Sequence, residues 1–322
     1  MTPSEQLHTL HRVPTSNEVP TFPSLEDLSL SQPDELQIKK HSPVIDANDP
    51  VWGIGGALLV WIASILVQAI IPLLFIIPFA VHRGLNPSSP DFGKAALQLA
   101  VTDPTAIFLQ VLSILPTHIL TLALLWAFVT RFGKRPFLAS FGWGWTRSRG
   151  LFEGLGFAGL GVALFIVGVT LARLLGADKP TQLEQLINSS TGARYAIAAL
   201  AVFTAPFVEE FVYRGVLYSA LQRTIGVNGA VFFVLGLFTL IHVPQYWPNI
   251  GVISAVALLS IVLTIIRAYT GRLLPCIIIH MSFNAVQAVL LIVEPYVQRL
   301  LPPTPPTVPT ASMLLPLIRF IF

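Results

Sequence analysis

Charge is what this chain has least of. Asp, Glu, Lys and Arg make up 11% of its 322 residues while 54% are hydrophobic, and the mean hydropathy is +0.73. An ordinary soluble domain carries about 25% charged residues, so the composition argues against a water-facing globule and for a polytopic membrane protein. Cysteine is nearly missing as well. Cys276 stands alone, which excludes an intrachain disulfide and any zinc site built from several cysteines, and leaves it as a small apolar packing residue. The net charge of +3 is scattered, with no basic run interleaved with aromatics, so no nucleic-acid partner is expected.

Residues 1–49 are rich in Ser, Pro, Thr and acidic side chains and hold no apolar run able to form a signal-peptide core. This stretch reads as a disordered polar tail. From Trp52 onward, apolar windows recur that are long enough to cross a hydrocarbon core of roughly 30 Å, which takes about 20 helical residues. They are Trp52–Ala80, Thr105–Thr130, Leu151–Leu175, Tyr195–Leu221, Val227–Val243, Gly251–Ala268 and Leu273–Val293. The expected fold class is all-α, a polytopic transmembrane helical bundle of about seven to eight helices. Gly154, Gly156, Gly159, Gly161 and Gly168 in the third window suit close approach to a neighbouring helix. The chain then divides into the tail (1–49), N-terminal membrane helices with a basic interfacial loop (50–145), a helical domain carrying the polar motifs described below (146–296), and a Pro-rich C-terminal stretch with a short apolar interfacial segment (297–322).

Loop cations suggest an orientation. Arg131, Lys134, Arg135, Arg147 and Arg149 lie between the second and third windows, and the breaks on the same side hold Lys39, Lys40, Arg223, Arg267 and Arg272. The opposite breaks hold a sparser set: Arg83, Lys94, Arg173, Lys179, Arg194, Arg299 and Arg319. The denser side, and with it the N-terminus, is expected to be cytoplasmic. Phe137, Phe141, Trp143 and Trp145 beside the densest cluster read as an interfacial aromatic anchor.

Against this background two adjacent carboxylates stand out. Glu209 and Glu210 lie in the middle of the Tyr195–Leu221 window, where an ionised side chain has almost no solvent and marks a functional position. Residues four apart share a helix face, so Glu210 meets Arg214 while Glu209, rotated by about 100°, points elsewhere and is left free to act as a general base. Pro206, one turn earlier, cannot donate a backbone hydrogen bond and loosens the helix there. The same four-residue spacing joins Phe238 to His242 and His280 to Asn284 in later windows. Counted from the expected cytoplasmic ends at about 1.5 Å per residue, Glu209, His242, His280 and Asn284 lie roughly 18, 22, 12 and 18 Å deep, in one layer of the membrane. Such residues can converge on a single water-filled pocket, whereas each would be costly facing lipid.

These residues carry a family resemblance. Glu-Glu-Phe-Val-Tyr-Arg (Glu209–Arg214), Phe-Thr-Leu-Ile-His (Phe238–His242) and His-Met-Ser-Phe-Asn (His280–Asn284) resemble, in order and spacing, the EExxxR, FxxxH and HxxxN motifs of the CPBP (Abi) family, the CAAX-protease and bacteriocin-processing intramembrane proteases. The resemblance covers roughly Leu151 to Val293, and Gly133–Trp145 is similar to a loop that often precedes that domain. It implies that residues 146–296 form an intramembrane endopeptidase acting on a membrane-associated peptide or protein. By position-for-position match, Glu209 would deprotonate a water held jointly with His242, and His280 with Asn284 would stabilise the tetrahedral oxyanion. Glu210 paired to Arg214 would support them, and Phe238 would orient His242. No cofactor is favoured.

A second mechanism keeps the reaction and changes the electrophile. Glu209, His242 and His280 would ligate a divalent metal such as zinc, with Cys276, one turn before His280, able to add a thiolate; no HExxH occurs. Two further readings use the same polar residues differently: a non-catalytic immunity or scaffold protein, and a transporter. His118, central in the second window and outside every motif, reads as a satisfied interior residue, and Glu153 as an interfacial partner of Arg149. Tyr213 and Tyr218 receive no role. The expected location is a bacterial plasma membrane, as a multi-pass protein.

Overall fold

The structure, a computed structural model, describes residues 46–145, 150–176 and 179–300. The expectations for residues 1–45 and 301–322, and for Arg147 and Arg149, lie outside the described residues. Among those described there is no strand, and ten α-helices follow one another: α1 (Ile54–His82), α2 (Phe92–Thr102), α3 (Pro104–Thr130), α4 (Gly150–Leu174), α5 (Gln182–Asn188), α6 (Thr191–Phe203), α7 (Ala205–Glu210), α8 (Tyr218–Tyr246), α9 (Ile250–Thr270) and α10 (Leu274–Leu300). Six stretches are long and apolar enough to cross a membrane, and the all-α membrane bundle expected from the composition is present. The chain is a multi-pass membrane protein.

Five of the expected windows correspond to single helices, α1, α3, α4, α9 and α10. Their ends have local causes. Asp103 caps α3 by accepting from the N–H groups of Thr105 (2.8 Å) and Ala106 (3.1 Å), and Pro104 follows it at the first helical position. A hydrogen bond from Arg83 holds the Asp103 carboxyl below the usual carboxylate range. The short helices α2 and α5 fall outside the expected set, because neither carries an apolar run long enough to register as a span.

The Tyr195–Leu221 window departs most from expectation. It is not one helix but α6, α7, a π-helical turn (Phe211–Leu217) and the start of α8. Thr204 leaves helical geometry at φ −125°, ψ −45°, and the missing N–H of Pro206 keeps the ladder from closing across it. Helix α8 breaks again at Gly226, whose φ of 73° and ψ of 171° suit glycine. The rings of Tyr213 and Phe238 are 5.1 Å apart, and the Arg214 guanidinium lies 4.5 Å from the Phe238 centroid. Arg214 and Phe238 are each twelve positions from Gly226, so the chain doubles back there as a helical hairpin. The first two motifs therefore stand at equal depth on neighbouring arms.

The breaks assigned to one side of the membrane do meet. Arg267 donates to Asn48 Oδ1 (2.7 Å) and to the Ala47 carbonyl (2.8 Å), Arg223 pairs with Asp49, Leu273 N–H donates to the Phe141 carbonyl, and Arg272 pairs with Glu153. Residues 47–50, read as the end of the tail and the first residue beyond it, are thus docked on the bundle. Arg267 itself is fully buried, so it is a structural cation and not a loop charge. The aromatic anchor is corrected in the same way. Phe141 is fully buried, with ring centroids 5.1 Å from Phe137, 5.0 Å from Phe211 and 6.0 Å from Trp52, so these rings pack against the π-turn; of the expected set, Trp145 stays exposed.

Helix α4 packs against both α9 and α10, and α10 also against α6. Of the α4 glycines, Gly161 makes the closest approach: a Cβ there would lie 2.4 Å from the Ile279 carbonyl oxygen, next to His280, while Gly156 and Gly159 face open space. Gly161→Ala should therefore lower stability by about 1–3 kcal/mol through overpacking. Gly159→Ala should not lower it. Paired thermal melts in detergent check this, and equal melting temperatures for the two variants would contradict it.

Candidate active site

Burial separates the two glutamates. The Glu210 side chain is fully buried and that of Glu209 is 23% exposed, so Glu209 is the one a bound molecule can reach. Glu210 Oε1 accepts from Arg214 Nη1 at 3.1 Å and from His280 Nδ1 at 2.8 Å. Its other oxygen, also buried, has no partner among the described residues. The guanidinium is also held from α9: Nε donates to Thr264 Oγ1 (3.2 Å), and Nη2 to the Ser260 carbonyl (3.0 Å) and hydroxyl (2.9 Å). Phe238 lies under it as a cation–π face.

Glu209 lines a cavity of about 370 Å³ together with His242, His280, Asn284, Tyr213 and His118. That size falls within the roughly 300–1,000 Å³ usual for ligand sites. The structure thus brings Glu209, His242, His280 and Asn284 to one cavity, with Phe238 against both imidazoles at ring-centroid distances of 4.5 Å (His242) and 6.3 Å (His280). Glu209 Oε2 stands 3.8 Å from His280 Nε2.

Each ring is oriented by its neighbours. His242 Nδ1 is 2.7 Å from the Phe238 carbonyl; a carbonyl only accepts, so Nδ1 carries a proton, and in the neutral ring Nε2 is a lone pair. Asn284 Nδ2 donates to the Ala201 carbonyl at 2.7 Å, in the last turn of α6 where helix carbonyls lose their partners. That bond uses one amide hydrogen and leaves the second. His280 gives its Nδ1 proton to Glu210, so its Nε2 becomes a donor only when the ring holds both protons.

No three His, Cys, Asp or Glu side chains among the described residues are gathered closely enough to hold a metal ion. Glu209, His242 and His280 do not fit one as arranged. Cys276 is fully buried and donates to the Leu263 carbonyl at 3.3 Å, as a packing residue would.

Sequence reasoning missed Ser260, Thr264, Ala201, Tyr213 and His118. Ser260 and Thr264 carry the one available signal, two small hydroxyl residues four apart in a mostly apolar window. His118 is satisfied as an interior residue should be, its Nδ1 lying 2.8 Å from Thr204 Oγ1; it nevertheless lines the cavity.

Fold and site together define a helical membrane protein with a carboxylate, imidazoles and a carboxamide around one buried chamber. Residues 191–286 match the family model of the Rce1-like type II CAAX prenyl endopeptidases. The matched segment holds all three motifs, in agreement with the resemblance read from them, and supports a CAAX-type intramembrane protease in general. Neither a search of curated proteins nor one of solved structures returned a match.

The Arg214–Glu210 pair yields a stability prediction. Arg214→Ala strands a buried carboxylate and should cost about 3–5 kcal/mol. Glu209→Gln, at the cavity wall, should leave the melting temperature within a few degrees of the parent. The reverse order in detergent melts would mean that the two glutamates have exchanged roles.

Proposed function

We propose that the chain is an intramembrane endopeptidase that hydrolyses a peptide bond of a membrane-associated peptide or protein, with a water activated by Glu209. The observation that carries this reading is the convergence of Glu209, His242, His280 and Asn284, from separate helices, on one chamber. Water held between the Glu209 carboxylate and the His242 Nε2 lone pair would lose a proton to Glu209 as its oxygen attacks the scissile carbonyl. Negative charge then develops on the carbonyl oxygen, where the free Asn284 N–H and the His280 Nε2–H would donate; one such donor is worth about 2.7–4 kcal/mol in a water-poor site. Glu209 returns the proton to the departing nitrogen. Arg214 and Glu210 hold His280 in register, and Phe238 holds His242. The N-terminal side of the bundle is cytoplasmic in this reading, on the strength of the loop cations other than Arg267.

Two outcomes test it. In lipid bicelles, the purified protein should cleave a quenched-fluorescent lipopeptide, Glu209→Gln should reduce kcat by about 10²–10⁴, and Asn284→Ala by about 10²–10³. Exhaustive chelation should leave the rate unchanged and elemental analysis should find no stoichiometric metal. Zinc near one per chain, with activity lost on its removal and regained on its return, would overturn the metal-free mechanism and keep the peptidase. Ion-coupled flux in proteoliposomes with no cleavage product would favour the transporter instead.

A further inference from the structure

The cavity holds a third imidazole that the three motifs do not account for. His118 projects from the middle of α3, outside the matched segment, and lines the chamber shared by Glu209 and His242. Its Nδ1 is 2.8 Å from Thr204 Oγ1, and that hydroxyl is 3.0 Å from the Leu200 carbonyl, to which it donates. The hydroxyl proton is therefore committed, so Thr204 can only accept from the ring. In the neutral ring Nδ1 of His118 therefore carries the hydrogen, and Nε2 is left as a lone pair. His242 has the same tautomer for the same kind of reason, an oxygen acceptor at Nδ1.

Two imidazole lone pairs and a carboxylate are more acceptors than one water can use. A water has two hydrogens, taken up by Glu209 and His242 in the mechanism above, which leaves His118 Nε2 without a donor. A peptide entering the chamber brings one: the N–H of the scissile amide loses its solvent there and needs an acceptor. We infer, on the basis of the peptidase reading, that His118 Nε2 accepts a hydrogen bond from the scissile N–H and holds the nitrogen as it pyramidalises. The carbon–oxygen bond forms from the water, and the carbon–nitrogen bond breaks. The nitrogen keeps its hydrogen toward His118 while its new lone pair faces protonated Glu209, from which it takes the second proton and departs as the amine. The substrate class this site selects is therefore an amide that bears an N–H, and not a prolyl (tertiary) amide at the cleaved bond.

The test compares a quenched-fluorescent lipopeptide with its depsipeptide counterpart, in which the scissile N–H is replaced by oxygen. His118→Ala should lower kcat on the amide by about tenfold to a hundredfold, the scale of one hydrogen bond removed at the reacting atoms, and leave the ester rate within about twofold. His118→Gln, which keeps an acceptor, should recover part of the amide rate, and Thr204→Val, which releases the tautomer, should show a smaller loss confined to the amide. Equal losses on amide and ester would make His118 a structural support of the chamber wall and overturn the inference, as would an unchanged amide rate. If His118→Ala does not fold, the other two variants carry the same amide-to-ester comparison. Cleavage of neither substrate by the parent protein would overturn the peptidase reading, and this inference with it.

Discussion

A guanidinium taken out of water has five N–H groups to satisfy, and the interior of this bundle is arranged around doing so. Arg214 is fully buried, and four of its N–H groups donate, one to Glu210, two to the Ser260 carbonyl and hydroxyl and one to Thr264, with the Phe238 ring against its face. Three chain segments are pinned by one side chain: the π-turn, the far arm of the hairpin and α9. Glu210, held by that cation, in turn takes the Nδ1 proton of His280, so α10 is brought into register as well. The order runs Arg214, Glu210, His280, Glu209, from the dry interior to the cavity wall. Arg214 and His280 are joined through hydrogen bonds to Glu210, and His280 Nε2 then stands 3.8 Å from Glu209 Oε2.

The irregular backbone around the cavity follows from the same need. In a membrane, non-helical segments are tolerated where they are buried in protein or line a cavity, and the breaks at Thr204 and in the Phe211–Leu217 turn lie where the chamber is. π-Helical turns often accompany functional sites. One loosened group is used directly: Asn284 satisfies the Ala201 carbonyl. A straight helix from Thr191 to Leu221 would have closed that carbonyl internally and left the carboxamide no fixed partner there.

Helix period explains both what was legible and what was not. Spacing along one chain segment tells which side chains share a face, so the membrane spans, the Glu210–Arg214 pair and the two other motif pairs could be read from the sequence. Which faces then meet is a tertiary fact. Phe137, Phe141 and Trp143 look like interfacial aromatics until Phe211 is found against them, and Arg267 looks like a loop cation until Asn48 and Ala47 close over it. Gly156 and Gly161 are indistinguishable in sequence, yet the first faces open space and the second the Ile279 carbonyl. His118 belongs to no local pattern, and only the approach of α6 to α3 brings Thr204 to it.

The way the cavity residues are tethered bears on the competing readings. A transporter alternates access by rocking one part of its bundle against another around the site. Here His242 is fastened to its own helix at the Phe238 carbonyl, Asn284 to the end of α6, and His280 to a carboxylate that is itself locked. Such fixed dipoles favour a site that meets developing charge without rearranging, as electrostatic stabilisation of a transition state requires. A scaffold or immunity protein has no use for oriented donors and acceptors around a chamber of this size, since an apolar filling would be more stable than a buried ion pair and three imidazoles. The polar groups are costly for the fold, and Glu209, His118, His242 and Asn284 line the chamber that the buried pair supports, which favours chemistry over either alternative.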